Sequence, residues 1–249
     1  RTSIRSYNAT ISENPSMKEG DELVAKLQLD TLQTLIMFTN RGSFIYLPVF
    51  KLPEFKWKDI GQHVSNIVTM DSEEKIIAVY AVSDFKAEEY FFFTTANGMI
   101  KKTRLGDFEV SRYNRAMVAM SVKEDDELIS VRKTCGKNEI AIGASNGRMV
   151  RFDENEIRSM GRSSSGVKGI DLDGATVVGA EVVEENQVVL IVTENGYGKQ
   201  TVIDEYRKTH RGSKGVKALN VTEKNGPMAS LKCLNPEDKL DLMIITDSG

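Results

Sequence analysis

The stretch IAIGASNGRMVRFD, residues 140–153, decides how the chain is to be read. Two short apolar runs carrying Ile and Val flank Ser-Asn-Gly. Asn-Gly between such runs is a strong hairpin signal, because glycine accepts the positive φ that a tight reversal requires. The same grammar recurs in LIMFTNRG (35–42), YFFFTTANG (90–98), IAIGASNG (140–147), VLIVTENG (189–196) and LMIITDSG (242–249). The closing glycines, Gly42, Gly98, Gly147, Gly196 and Gly249, stand 56, 49, 49 and 53 residues apart. Such regularity marks an internal repeat, which has to be recognised before single elements are assigned.

Outward from each glycine the units agree. A second strand follows it: SFIYLP (43–48), MIKKTR (99–104), RMVRFD (148–153) and YGKQTV (197–202). A polar segment leads to a third, as in GVKGIDL (166–172) and GVKALNV (215–221). An acidic turn, KEDDE (123–127) or DLDGA (171–175), precedes a fourth, LISVRKT (128–134) or TVVGAEVV (176–183). Runs this short, rich in Val, Ile, Phe, Thr and Tyr and punctuated by Gly, Asn or Asp, are strands and not helices. A four-stranded unit cannot bury both faces alone, so repeats of this size stack radially. The expectation is an all-β, propeller-like fold of five to six four-stranded blades, spanning 1–249 as a single domain. Its divisions would be a partial blade 1–34, repeats 35–89, 90–139, 140–188 and 189–241, and a partial blade 242–249. RTSIRSY (1–7) aligns with KKTRLGDF (101–108), so the first unit lacks its leading strand, while the last stops at its hairpin tip. The ends are expected either to meet in one composite blade or to be cut from a longer chain.

Composition narrows the class. With 249 residues, 40% hydrophobic and 28% charged, the chain matches an ordinary globular protein and excludes disordered and collagen-like classes. No apolar run approaches the roughly 20 residues that span a bilayer, and RTSIRSY carries no signal-peptide stretch, so no membrane partner is expected. Cys135 and Cys233 show no CxxC spacing and only two histidines accompany them, which signals neither a disulfide framework nor a metal site and fits a cytoplasmic protein. No cofactor is expected. A net charge of −3 argues against a uniformly basic nucleic-acid binder but leaves the distribution of charge open.

The chain resembles the carboxy-terminal domain of the A subunit of bacterial type IIA topoisomerases along essentially its whole length. The resemblance is carried by RTSIRSYNA (1–9), YLPVFKLPEFKWKDIGQHVSNIV (46–68), NGMIKKTRLGDFEVSRYNRAMVAMSVKEDDELISVRKT (97–134), SMGRSSSGVKGIDL (159–172) and TENGYGKQTVIDEYRKTHRGSKGVKALNVTEKNG (193–226). It implies a β-pinwheel, a propeller relative in which neighbouring blades exchange a strand, that binds and bends double-stranded DNA on its rim. It also implies attachment to the rest of the A subunit, through it to the ATPase B subunit, and a bacterial, nucleoid-associated location. The gyrase branch carries a QRRGGKG or QRRGGRG box after the first basic strand, and TSIRSYNATISENP (2–15) contains none. A degenerate match, Thr209, His210, Arg211, Gly212, Ser213, Lys214 and Gly215, stands instead in the last complete unit. The missing first box and the segment WKDIGQH (57–63) favour the topoisomerase IV branch; GYGKQT (196–201) and HRGSKG (210–215) keep gyrase as the alternative.

DNA contact of this kind needs cations that displace counterions from phosphates. Residues 199–217 supply Lys199, Arg207, Lys208, Arg211, Lys214 and Lys217, with His210 among them, against Asp204 and Glu205. Residues 99–115 supply Lys101, Lys102, Arg104, Arg112 and Arg115 against Asp107 and Glu109. Residues 148–168 supply Arg148, Arg151, Arg158, Arg162 and Lys168 against Asp153, Glu154 and Glu156. Arg5, Lys56 and Lys58, the last two flanking Trp57, complete the candidate set. These cations recur at one phase of the repeat, whereas acids gather at another: Asp71, Glu73 and Glu74; Glu124 to Glu127; Glu184 and Glu185. A radial assembly would turn equal phase into a basic band on a net-acidic protein.

Enzymatic readings find little support. Asp171-Leu172-Asp173-Gly174 opens like a calcium loop, but Val182 stands where the closing glutamate belongs. Gly196-Tyr197-Gly198 lacks the third glycine and helix of a dinucleotide fingerprint. No nucleophile context is visible. In the family resembled, the DNA-cleaving tyrosine lies in another region, so Tyr7, Tyr46, Tyr80, Tyr90, Tyr113, Tyr197 and Tyr206 are not assigned that role. The competing class is a protein-interaction propeller, to which radial repeats are equally suited.

Overall fold

A computed structural model describes residues 23–56 and 59–238 of the chain. The first repeat contributes β1 (Thr34–Thr39), β2 (Ser43–Pro48) and β3 (Ile76–Val82). The second contributes β4 (Tyr90–Thr95), β5 (Met99–Arg104), β6 (Met117–Val118) and β7 (Leu128–Thr134). The third gives β8 (Glu139–Ala144), β9 (Arg148–Asp153), β10 (Val167–Lys168) and β11 (Val177–Val183). The fourth gives β12 (Val188–Thr193), β13 (Gly198–Val202), β14 (Val216–Lys217) and β15 (Met228–Leu234). Gly42, Gly98, Gly147 and Gly196 close the hairpins at φ 80°, 80°, 81° and 81°. In three of the four turns a threonine hydroxyl, on Thr39, Thr95 or Thr193, accepts the backbone N–H four residues on, at 3.1, 3.1 and 3.2 Å.

The strands form four antiparallel sheets in two compact units. The first unit, Arg1–Lys137 with Ile157–Gly169, holds the sheets β3-β1-β2-β6 and β10-β5-β4-β7. The second, Asn138–Glu156 with Ile170–Gly249, holds β11-β8-β9-β14 and, among the described residues, the three-stranded β13-β12-β15. The all-β, blade-like class is as expected. The expected partial blades at 1–34 and 242–249 fall largely outside the described residues.

The third strands differ from the sequence reading. They are two residues long, and each pairs with the second strand of the preceding repeat: Met117 with Phe44, Val167 with Ile100, Val216 with Met149. The ladder stops where the partner's hairpin begins. There the next backbone N–H, of Ala119, Gly169 or Ala218, turns to the carbonyl of the hairpin glycine, Gly42, Gly98 or Gly147, at 2.8 Å each time. This is the strand exchange implied by the resemblance.

The central strands β1, β4 and β8 are buried on both faces, so they read as continuous apolar runs rather than as alternation. In the first unit Phe38 meets Phe91 edge-to-face at 4.8 Å, and Phe44 meets Phe108 at 5.0 Å. Side chains of this size contribute roughly 1.5–3 kcal/mol each on full burial, with a further increment for ring geometry. The second unit is filled by Met149, Val189, Ile191, Ile203, Tyr206, Met228 and Leu231. Among the described residues no helix is long and apolar enough to cross a membrane.

Candidate nucleic-acid interface

Each exchanged strand is entered through a polar loop, and the strand register puts the three loops in correspondence. Arg112, Arg162 and Arg211 each stand five residues before β6, β10 and β14. Arg115 and Lys214 each stand two residues before their strand, and Lys168 and Lys217 are its second residue. Entry is constrained by glycine in two of the loops. A Cβ on Gly166 (φ 81°) would lie 2.2 Å from the Ile100 carbonyl oxygen, and one on Gly215 (φ 69°) 2.1 Å from that of Met149. No side chain fits there, and the positive φ adds strain for any other residue.

In the first unit Arg104, Arg112, Arg115 and Lys168 are exposed and Arg162 is half-buried, its guanidinium 5.2 Å from the Phe44 ring centre. Among the described residues no carboxylate pairs with Arg104, Arg112, Arg115 or Arg162. Arg112 lines a shallow groove with Lys51 and Tyr113, and the Lys51 ammonium sits 4.5 Å over the Tyr113 ring. Lys51 was not signalled by the repeat: a 3-10 turn follows the second strand in each repeat (Val49–Lys51, Leu105–Phe108, Glu154–Glu156, Ile203–Glu205), but the others carry Asp107, Glu156 or Glu205 where it carries Lys51, and only tertiary contact brings it to Tyr113. Lys56 is exposed, its amide bound to Asp59 at 2.9 Å. Arg5, Trp57 and Lys58 lie outside the described residues.

Two expected contact residues are drawn inward instead. Lys101 is 0% exposed; its ammonium donates to the carbonyls of Ala119, of Gly161 at 3.1 Å and of Arg162 at 2.8 Å. Burial lowers its pKa from 10.5 to about 7, against an upward pull from Asp107 and with a smaller downward push from Arg162. Lys102 is 4% exposed, on the opposite face of β5, 5.0 Å over the Tyr90 ring. The run MIKKTR reads as a half-solvated strand, but β5 is a middle strand covered on both faces.

In the second unit cations and acids interleave. Arg151 is mostly buried, donating to Glu139 at 2.7 Å and to the carbonyls of Ile203 and Tyr206 at 2.9 and 3.2 Å, so it supports the sheet from within. Glu139 also holds Lys208. Burial pushes the Glu139 carboxyl up, but hydrogen bonds from Lys208 and Arg151 outweigh it and leave the pKa below the ordinary 4.5. Of the degenerate box, Thr209 is tied by its amide to the Arg151 carbonyl at 2.7 Å, and His210 faces Glu156 at 3.1 Å. The Arg211 amide donates to Glu156 Oε2 at 3.1 Å. Gly212 turns the chain at φ 72°, and the Ser213 hydroxyl donates to the His210 carbonyl at 2.7 Å. Lys214 pairs with Asp173 at 2.9 Å, a hydrogen bond that lowers the Asp173 pKa and raises that of Lys214. Arg148 donates to the Gly215 carbonyl at 3.3 Å, Lys199 to that of Ala218 at 3.2 Å and Lys217 to Asn220 at 3.1 Å. Arg207 is exposed, and no carboxylate among the described residues pairs with it.

The profile of the family described as "DNA gyrase C-terminal domain, beta-propeller" matches residues 33–83, 89–135, 138–184 and 187–235, one stretch per repeat. The A subunit of DNA topoisomerase 4 from Bacillus subtilis (strain 168) is 38% identical over 226 residues, covering 90% of this chain and 28% of that protein. The A subunit of DNA gyrase from Staphylococcus aureus (strain NCTC 8325 / PS 47) is 42% identical over 230 residues, covering 89% of this chain and 26% of that protein. The chain thus spans about a quarter of the length of these relatives. A crystal structure of the C-terminal domain of DNA topoisomerase IV superposes with a TM-score of 0.83 at 34% identity, over 90% of this chain and 70% of that one.

Proposed function

The chain belongs to the family of C-terminal domains of the A subunits of bacterial type IIA topoisomerases, gyrase and topoisomerase IV, and from that premise we propose that it is a non-catalytic module that binds and bends double-stranded DNA. The observation that carries this reading is the recurrence of Arg112, Arg162 and Arg211 at one register position of three successive loops. Cations repeated at one position suit a ligand that is itself periodic in charge and is held by its backbone rather than its sequence. Lys168, Arg104 and Arg115 accompany them in the first unit, and Lys217 and Arg207 in the second. Of the wider candidate set, Lys101, Lys102 and Arg151 serve the interior.

In this reading the module is joined to the remainder of its own polypeptide, the A subunit. It works with the ATPase B subunit in the bacterial cytoplasm, at the nucleoid. It captures and bends the DNA segment to be passed, and so steers decatenation and supercoil relaxation. The topoisomerase IV branch is favoured by the absent first-repeat box and by the 38% identity to the Bacillus subtilis topoisomerase 4 chain. The 42% identity to the Staphylococcus aureus gyrase chain and the box-like 209–215 support the gyrase branch as the second reading.

The test is an electrophoretic titration of a duplex with the wild-type chain and with the variant Arg112→Ala/Arg162→Ala/Arg211→Ala. The triple variant should bind far more weakly and with a salt slope shallower by about three, near one per lost phosphate contact. Wild-type affinity and slope in that variant would move the DNA track away from these loops.

A further inference from the structure

Lys101 stands where two of the other three sheets carry a buried aliphatic residue. One residue beyond the pairs Phe44–Met117, Ile100–Val167 and Met149–Val216 come Ile45, Lys101 and Val150, all at 0% exposure. An ammonium in such a place loses its hydration and is retained only where enough acceptors surround it. Three backbone carbonyls do so, and two of them, Gly161 and Arg162, belong to the loop that enters β10. The third is Ala119, beside Ser121, whose hydroxyl donates to the Ser163 carbonyl of the same loop at 2.7 Å.

We propose that Lys101 is a positioning residue for the 161–166 loop, its donated hydrogens holding the Gly161 and Arg162 backbone and so setting where the Arg162 guanidinium stands. This rests on the reading of the loops as a DNA surface. Three hydrogens on one ammonium meet three carbonyls, two of them part-buried on the loop, and a side chain without a donor at 101 would leave all three without that partner. The charged groups acting on it are Asp107, in the 3-10 turn Leu105–Phe108 after β5, and Arg162 in the loop itself. β4 presents only the Phe93 ring, 5.1 Å away, and the 119–121 segment presents a carbonyl. Lys199 stands at the same position of β13 and donates to Ala218 as Lys101 does to Ala119, but it is exposed, and no loop carbonyl accepts from it among the described residues.

The test has two arms. Hydrogen exchange of the free chain reads the order of 159–168 without DNA: exchange there should quicken in Lys101→Met, a residue class that Ile45 and Val150 show the position accepts, while the other sheets keep wild-type protection. Fluorescence anisotropy with a duplex at fixed ionic strength reads the consequence: Lys101→Met should bind roughly tenfold more weakly, about the size of one hydrogen bond, should add nothing to Arg162→Ala, and should be rescued in part by Lys101→Arg. Wild-type exchange at 159–168 in Lys101→Met, or losses from Lys101→Met and Arg162→Ala that add in full, would overturn the proposal. No duplex binding by any form, with the exchange difference present, would instead refute the DNA reading and keep the positioning role.

Discussion

The loops at 161–166 and 210–215 enter their sheets by the same backbone route and are held by opposite charges. Both press a glycine onto a strand carbonyl, Gly166 at Ile100 and Gly215 at Met149. Beneath the first a buried lysine donates to loop carbonyls; around the second, Glu156 and Asp173 accept from the loop's own amide, imidazole and ammonium groups. The first arrangement leaves Arg162 without a carboxylate, among the described residues, while the second compensates Lys214 and His210 in place. The difference teaches that position in the repeat fixes where a cation stands, and its local partner fixes how much of its charge remains for a ligand.

The shared backbone route can be broken most severely. Gly166→Ala or Gly215→Ala forces a Cβ into a carbonyl at a positive φ and should cost about 3 kcal/mol in denaturant unfolding, detaching β10 or β14. Equal losses would confirm the common route, and an untouched variant would refute it.

The opposite anchoring gives opposite pH limbs. Glu139 titrates below its ordinary 4.5, so its pairing stabilises the second unit above that pH and is lost as pH falls through the folded value. Lys101 is lowered, so between about 7 and 10.5 the unfolded chain holds a proton that the folded chain has released, and the stability owed to this group rises with pH. The rise is at most about 1.4 kcal/mol per pH unit. Urea melts across pH should lose the acid limb in Glu139→Gln and the alkaline limb in Lys101→Met.

Smaller effects sharpen the comparison at the surface. Arg162→Ala should lower the salt slope of duplex binding by about one, as should Arg211→Ala. Asp173→Asn should do the reverse: Lys214, released from its partner, becomes available to phosphate, and binding should tighten severalfold with a steeper slope, by about one. Unchanged binding in Asp173→Asn would mean that the ion pair leaves the lysine's charge available already, as exposed pairs often do.

The repeat made most of the sheet framework legible. SFIYLP, MIKKTR, RMVRFD and LISVRKT coincide with β2, β5, β9 and β7, because hairpin glycines and apolar runs are local signals. GVKGIDL and GVKALNV yielded only Val167–Lys168 and Val216–Lys217, since where a strand pairs is a non-local matter. The candidate cations were legible as phases but not as depths. Lys101 and Arg151 lie in strands whose polar residues read as solvent-facing, and only the cover supplied by other segments turns them inward. Lys51 stands in the turn after the second strand where the other repeats carry Asp107, Glu156 and Glu205, so the phase of the cations does not point to it.

The central claim, a basic surface repeated across the blades that bends duplex DNA, is tested most directly by fluorescence anisotropy with duplexes of roughly 10 to 40 base pairs at two salt concentrations. Affinity should rise with duplex length, then level off, and fall steeply with salt. Weak affinity independent of length, or no binding at low salt, would contradict the account and leave a protein-interaction propeller in its place.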